Sequence, residues 1–125
     1  MWLHVLESWI LLLRFEVTMR SGHFQRLHQV VHEARVQASA GQGLSHRENL
    51  STAMDYACVL YFKRVLCLQR SCATTLLLRR HGWKAEMVIG AQLVPFKSHA
   101  WVEIEDVVVN DKAYITEIFH VLERC

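Results

Sequence analysis

The sequence has no C-x-x-C pair, and its four cysteines, Cys58, Cys67, Cys72 and Cys125, show no disulfide-framework spacing. In a reducing compartment they are expected as free thiols. A long hydrophobic run is missing too. The apolar stretch Trp9 to Leu13 is hemmed in by Glu7, Arg14 and Glu16, far short of the roughly 20 apolar residues that cross a bilayer. No charged n-region precedes it and no small-residue cleavage site follows, which points to a soluble, unexported protein. An excess of one charge is also lacking: 14 basic against 12 acidic side chains leave a net charge of +2. That excludes the concentrated basic face of a general nucleic-acid binder and leaves room only for a local basic patch. There is no internal repeat and no low-complexity tract. Ala40-Gly41-Gln42-Gly43 is the one flexible stretch, read as an interhelix loop, and the single proline, Pro95, falls in a connection. No domain linker is visible, so residues 1–125 are one domain. At that length a chain buries about two-thirds of its unfolded surface without help from metals or disulfides.

What is present is a chain that is 52% hydrophobic and 21% charged, a globular composition. Apolar residues at Leu3, Leu6, Ile10, Leu13 and Val17 give helical spacing from Trp2 to about Met19, closed by Ser21-Gly22. A second helix spans about Phe24 to Ala38, with Leu27, Val30, Val31 and Ala34 on one face. Ser45 and Glu48 form a capping-box pattern ahead of a third helix reaching about Lys63. A fourth runs from Cys67 to His81, with basic residues in its last turn and Gly82 just beyond. After Gly82 the period changes. Trp83 to Ala91 is rich in apolar and β-branched residues. His99 to Glu105 alternates, with Ala100, Val102 and Ile104 on one face and His99, Trp101 and Glu103 on the other. Val107 to Val109 follows within a hairpin's reach, and Ile118 to Leu122 is the expected last strand. Helices over residues 1–64, then a helix and antiparallel strands over 65–125, make an α+β domain.

Three residues sit where acyl chemistry would want them. Cys67 opens a helix, whose exposed N–H groups and positive dipole end favour a thiolate. His99 opens a strand, and Asp111 ends the next. A thiolate attacks a carbonyl, an imidazolium protonates the leaving amine, and a carboxylate holds the imidazole in the useful tautomer. A regular two-residue turn at Glu105-Asp106 would put Asp111 on the face opposite His99, so a bulge or irregularity is expected between Glu105 and Asp111.

The segment Cys67-Leu68-Gln69-Arg70-Ser71, its apolar helix ending in Leu77-Leu78-Arg79-Arg80-His81-Gly82, then Met87-Val88-Ile89-Gly90, Ser98-His99-Ala100-Trp101-Val102-Glu103 and Val109-Asn110-Asp111 follow one another in an informative order. Together they resemble the leader peptidases of lasso peptide biosynthesis, in the transglutaminase-like, papain-related superfamily of cysteine peptidases. The resemblance implies Cys67 as nucleophile, His99 as general acid/base and Asp111 as orienting residue, with no cofactor. It implies a bacterial, cytoplasmic enzyme that removes the leader from a ribosomally made precursor peptide. Such an enzyme acts with a small, separate leader-recognition protein and ahead of an ATP-dependent macrolactam-forming cyclase. The chain departs from the family at Cys72 and Thr74-Thr75, where small or apolar residues are commoner. It also has Glu105-Asp106-Val107 in place of the usual turn glycine, which favours an irregular turn.

Around that core, the backbone N–H of Cys67 is the natural first oxyanion donor, with Gln69 and Gln92 as candidates for the second. Trp101, Gln69 and Arg70 are candidate substrate-contacting residues. Trp101 also reads as core or pocket wall, and Glu103 as a solvated or salt-bridged strand residue. Arg70, Arg79 and Arg80 read as a solvated helix face, or as contacts for an acidic leader or partner. Cys58 and Cys72 read as packing residues and Cys125 as exposed. His4, His23, His28, His32 and His46 carry no ligand spacing. Trp2, Trp9 and Phe15 are either core or apolar surface for the recognition partner. Other classes remain: a catalytically silent scaffold module, a metal site built from Cys67, Cys72, His81 and His99, and transamidation on the same triad.

Overall fold

Helical periodicity followed by strand alternation resolves into a helical layer and a sheet. A computed structural model of the chain describes residues 2–20, 24–34, 36, 44–93, 96–110 and 115–125. The elements are α1 (Trp2–Arg20), α2 (Phe24–Glu33), α3 (Leu44–Leu60), α4 (Cys67–Arg80), β1 (Ala85–Leu93), β2 (Phe96–Ile104), β3 (Val107–Val108), α5 (Ile115–Ile118) and β4 (His120–Arg124). The expected punctuation at Ser21-Gly22, the Ala40 to Gly43 loop, Pro95 and the expected triad member Asp111 lie outside the described residues. The strands pair antiparallel in the order β3-β2-β1-β4. The α+β class is as expected. No helix among the described residues is long and apolar enough to cross a membrane.

The main core lies between the helices and one face of the sheet. Leu12 and Phe15 of α1, Leu50 and Met54 of α3, Leu77 and Leu78 of α4, and Met87 and Val102 of the strands are all buried there. Each fully buried side chain of this kind contributes about 1.5–3 kcal/mol. A smaller cluster on the other face gathers Val88, Trp101 and Ile115, with Val108 and Phe119 packed against them.

The buried stripe of α1 differs from the expected one. It consists of Val5, Ser8, Leu11, Leu12, Phe15 and Glu16, whereas Leu3, Leu6, Ile10 and Val17 are exposed. The helix is apolar all round, so the sequence period allows either stripe. The Ser8 hydroxyl donates to the His4 carbonyl at 2.7 Å, and Glu16 meets Lys63 Nζ at 3.1 Å. α3 begins at Leu44, so Ser45 is already helical instead of capping it. The last strand also starts later than expected, because residues 115–118 form the short helix α5.

α4 ends as its sequence suggests. Gly82 adopts φ 89°, the Gly82 N–H donates to the Arg79 carbonyl, and the Trp83 N–H donates to Leu78. That is a Schellman stop, which favours glycine at the left-handed position. Arg79 departs from the solvated reading altogether. It is buried, and its guanidinium donates to the carbonyls of Ala85 (2.9 Å), Val31, Ala34 (3.2 Å) and Cys125 (2.8 Å). One side chain thereby joins α4, the end of α2, β1 and the residue after β4. Burial pushes the Arg79 pKa down, against the opposing influence of Cys125 and Glu86. Cys125, expected exposed, is half-buried and exchanges backbone hydrogen bonds with Met87.

The turn between β2 and β3 is a regular two-residue one, contrary to the irregular turn expected. Ile104 pairs with Val107, and Glu105 and Asp106 take φ 49° and 64°. Positive φ at both centres is the primed geometry that matches strand twist. The irregularity comes one step later. The Val109 N–H still donates to the Val102 carbonyl at 2.9 Å. The reciprocal Val102 N–H goes instead to Asn110 Oδ1 at 2.7 Å, so a side chain ends the ladder.

Replacing Arg79 by Met removes the guanidinium bonds to four backbone carbonyls, and loss of such a largely buried charged network is expected to cost about 3–5 kcal/mol. Urea unfolding of Arg79→Met against the native chain measures this; a change below about 1 kcal/mol would refute the linking role of Arg79.

Candidate active site

Cys67 is the first residue of α4, following Leu66, whose extended backbone (φ −79°, ψ 153°) is the N-cap. No side chain caps this end, and the first turn's backbone bond runs from the Arg70 N–H to the Leu66 carbonyl at 2.9 Å. A helix leaves its first N–H groups without intrahelical partners. The end of α4 that bears Cys67 therefore presents donors and positive potential to an anion.

His99 lies on β2 opposite Gly90 of β1. Among the described residues, β2 has no second partner strand before Val102, because β3 pairs only with Glu103 and Ile104 and Asn110 closes the ladder. Among the described residues, His99 thus lies at the edge of the sheet. Its ring stacks on both Phe119 (centroids 5.4 Å) and Trp101 (6.1 Å), which also meet each other at 6.3 Å, so the three rings form one aromatic cluster that holds its plane. Cys67 and His99 line the same cavity, of about 230 Å³, with Arg64, Val65, Arg70, Ser71, Ala100 and Asn110. Cys67 is exposed and His99 half-buried, so a substrate carbonyl has access to the sulfur.

Asn110, Ser71 and Arg64 are cavity residues that the sequence alone did not single out. The Asn110 side chain spans the site: its Oδ1 holds Val102, and its Nδ2 donates to Ser71 Oγ at 3.4 Å. Both ends are committed to joining β2 to α4, so Asn110 positions the two walls. The only sequence signal for it was its place next to Asp111. Arg70 enters the cavity wall and pairs with Asp55 of α3.

Other candidates fall elsewhere. Gln69 is buried, and its Nε2 donates to the Leu12 carbonyl of α1 at 2.8 Å. It faces the core and is not brought to the cavity. Gln92 is half-buried on β1 and is not among the lining residues. Trp101 is fully buried behind His99, with Nε1 donating to Glu103 Oε2 at 2.7 Å. Glu103 is itself buried and takes Arg124 Nη1 on its other oxygen at 2.9 Å, which raises the Arg124 pKa chiefly through that hydrogen bond. Gly90 is what makes room for the indole. A Cβ there would lie 2.6 Å from Trp101 Cη2 and 2.8 Å from Cζ3.

The metal set Cys67, Cys72, His81 and His99 is not assembled. Cys67 and His81 stand at opposite ends of α4, which at about 1.5 Å per residue separates them by some 20 Å. Cys72 is buried, with its thiol directed to Met87 Sδ at 3.3 Å.

The four thiols differ sharply in setting. Burial pushes Cys72 up to about 12. It also raises Cys58, with Arg70 opposing, and Cys125, with Arg79 opposing. Only Cys67 is exposed. Brief treatment of the native protein with iodoacetamide near pH ~8 is therefore expected to label Cys67 first and Cys72 last, read by peptide mass spectrometry. Labelling of Cys58 or Cys125 as fast as Cys67 would contradict this site description.

No curated protein and no solved structure matches the chain. One family model does, over residues 9–124, and it describes the transglutaminase-like superfamily. That span takes in α4 with Cys67 and the strand with His99, and the chain belongs to the transglutaminase-like superfamily.

Proposed function

We propose that this protein is a cysteine peptidase that removes the leader from a ribosomally made lasso peptide precursor in the bacterial cytoplasm. The observation that carries the chemical part is the shared cavity: the exposed thiol at the start of α4 and the edge imidazole of β2 open onto one space. The superfamily, in which cysteine peptidase and transglutaminase activities recur, supports acyl transfer as the reaction class. The leader-peptidase identity rests on the motif resemblance from Cys67 to Asp111.

In this reading the Cys67 thiolate adds to the scissile carbonyl, and the developing oxyanion lies against the Cys67 N–H. His99, as imidazolium, protonates the departing amine, leaving the precursor's acyl part as a thioester on Cys67. Water, deprotonated by His99, then releases the carboxylate and restores the thiol. Asp111 orients the imidazole. Gln69 is committed to α1 and supplies no second oxyanion donor. Arg64 and Arg70 line the cavity and suit an acidic leader segment. The uncovered face of α1, with Trp2, Leu3, Leu6 and Ile10 exposed, is where the recognition protein would dock; Phe15 is core, and Trp9 packs on Tyr61 at 5.6 Å. The macrolactam-forming cyclase would consume the freed amine.

Incubating the chain with a precursor and its recognition protein is expected to yield leader and core fragments summing to the precursor mass plus one water. Cys67→Ala should lower turnover by about 10⁴-fold. Full turnover in Cys67→Ala would sink the peptidase reading. An amine adduct at the same acyl position would replace hydrolysis by transamidation, and no product from the complete mixture would leave a scaffold module.

A further inference from the structure

His4 and Glu7 stand one helical turn apart on α1, a spacing that puts both on one face. α4 delivers His81, its C-cap residue, to the same point. One ligand atom from each of the three lies within 4.8 Å of the others, and all three residues are half-buried. His81 Nε2 is 3.2 Å from Glu7 Oε1, and the His4 and His81 rings meet nearly at right angles (82°) with centroids 4.8 Å apart.

We infer that His4, Glu7 and His81 form a binding site for a divalent transition-metal ion, Zn²⁺ foremost. Four-coordinate zinc holds imidazole nitrogen and carboxylate oxygen at about 2.0–2.2 Å, so neighbouring ligand atoms sit about 3.3 Å apart. The His81–Glu7 pair already has that separation. All three ligand atoms lie within 4.8 Å of one another, so His4 must draw closer on binding. Two imidazoles and a carboxylate suit zinc, nickel and cobalt, and exclude magnesium and calcium, which prefer all-oxygen shells. Three protein ligands leave a fourth position for water. Arg80 Nε, 3.4 Å from Glu7 Oε1, keeps the carboxylate oriented as an outer partner. Its charge works against the cation and limits the affinity. The ion would pin the start of α1 to the end of α4, away from the cavity at Cys67. This site is independent of the peptidase reading.

The test is calorimetric titration of the metal-free full chain with Zn²⁺, beside His4→Ala, Glu7→Gln, His81→Asn and Cys67→Ala. The expected result is one equivalent bound, affinity lowered at least tenfold in the first three variants and unchanged in Cys67→Ala. The zinc-induced rise in melting temperature should vanish with His4→Ala, which keeps the test valid should His81→Asn, at a helix end, fail to fold. Co²⁺ should give tetrahedral visible bands without the sulfur-to-cobalt charge-transfer band. Native affinity in His4→Ala, loss of binding in Cys67→Ala, or a thiolate band with Co²⁺ would overturn the site. So would no binding at all by the native chain, leaving an ion cluster that joins two helices.

Discussion

A single buried guanidinium fixes the helix on which the site depends. Arg79 reaches four carbonyls in three segments outside its own helix: the end of α2, the start of β1 and the residue after β4. A buried charge is tolerated only when its donors are met. Here those acceptors are backbone carbonyls at or near the ends of elements; those of Val31 and Cys125 also accept a backbone N–H, from Ala34 and Met87. The arrangement sets the C-terminal end of α4 against β1 and α2. The rest of α4 is buried from Ser71 to Arg79, so its N-terminus, and Cys67 with it, is carried to a defined place beside β2.

The second wall of the site exists because a strand stops early. β3 is two residues long, and Asn110 takes the next Val102 donor with its side chain. A longer β3 would cover the edge from which His99 lines the cavity. Beside His99 the packing is dense: Trp101 fills the space left by Gly90, and Phe119 packs against both the indole and the imidazole. The chain from buried Trp101 through buried Glu103 to the exposed Arg124 partners the indole N–H and both carboxylate oxygens of that layer. Orientation of the imidazole thus comes from aromatic stacking on the described side, and the same stretch of β2 brings it to the helix N-terminus.

The sequence made these features legible to different degrees. α4 was readable from Cys67 to Gly82, because its stop is local: basic last turn, then a glycine at positive φ. The alternation of β2 was equally local. The buried stripe of α1 was not, since a helix apolar on all sides offers two stripes and only the neighbours choose. Arg79 beside Arg80 reads as two solvated charges; nothing in the string says that one finds four carbonyls. Gln69 sits in the nucleophile motif yet turns to α1. Asn110 was in view only as the neighbour of Asp111, because its role depends on contacts with Val102 and Ser71, eight and 39 residues away. His4, Glu7 and His81 likewise meet only in the folded chain. A regular two-residue turn was not the expectation at Glu105-Asp106, because Glu105 is unusual in a left-handed position.

The central claim is that Cys67 and His99 act as one unit, and a double-mutant cycle on precursor turnover tests it most directly. Groups that work together lose their joint effect when either is removed. Cys67→Ala, His99→Ala and the double variant are expected to be slowed to the same degree. Independent losses that multiply in the double variant, or a His99→Ala enzyme with near-native turnover, would contradict it.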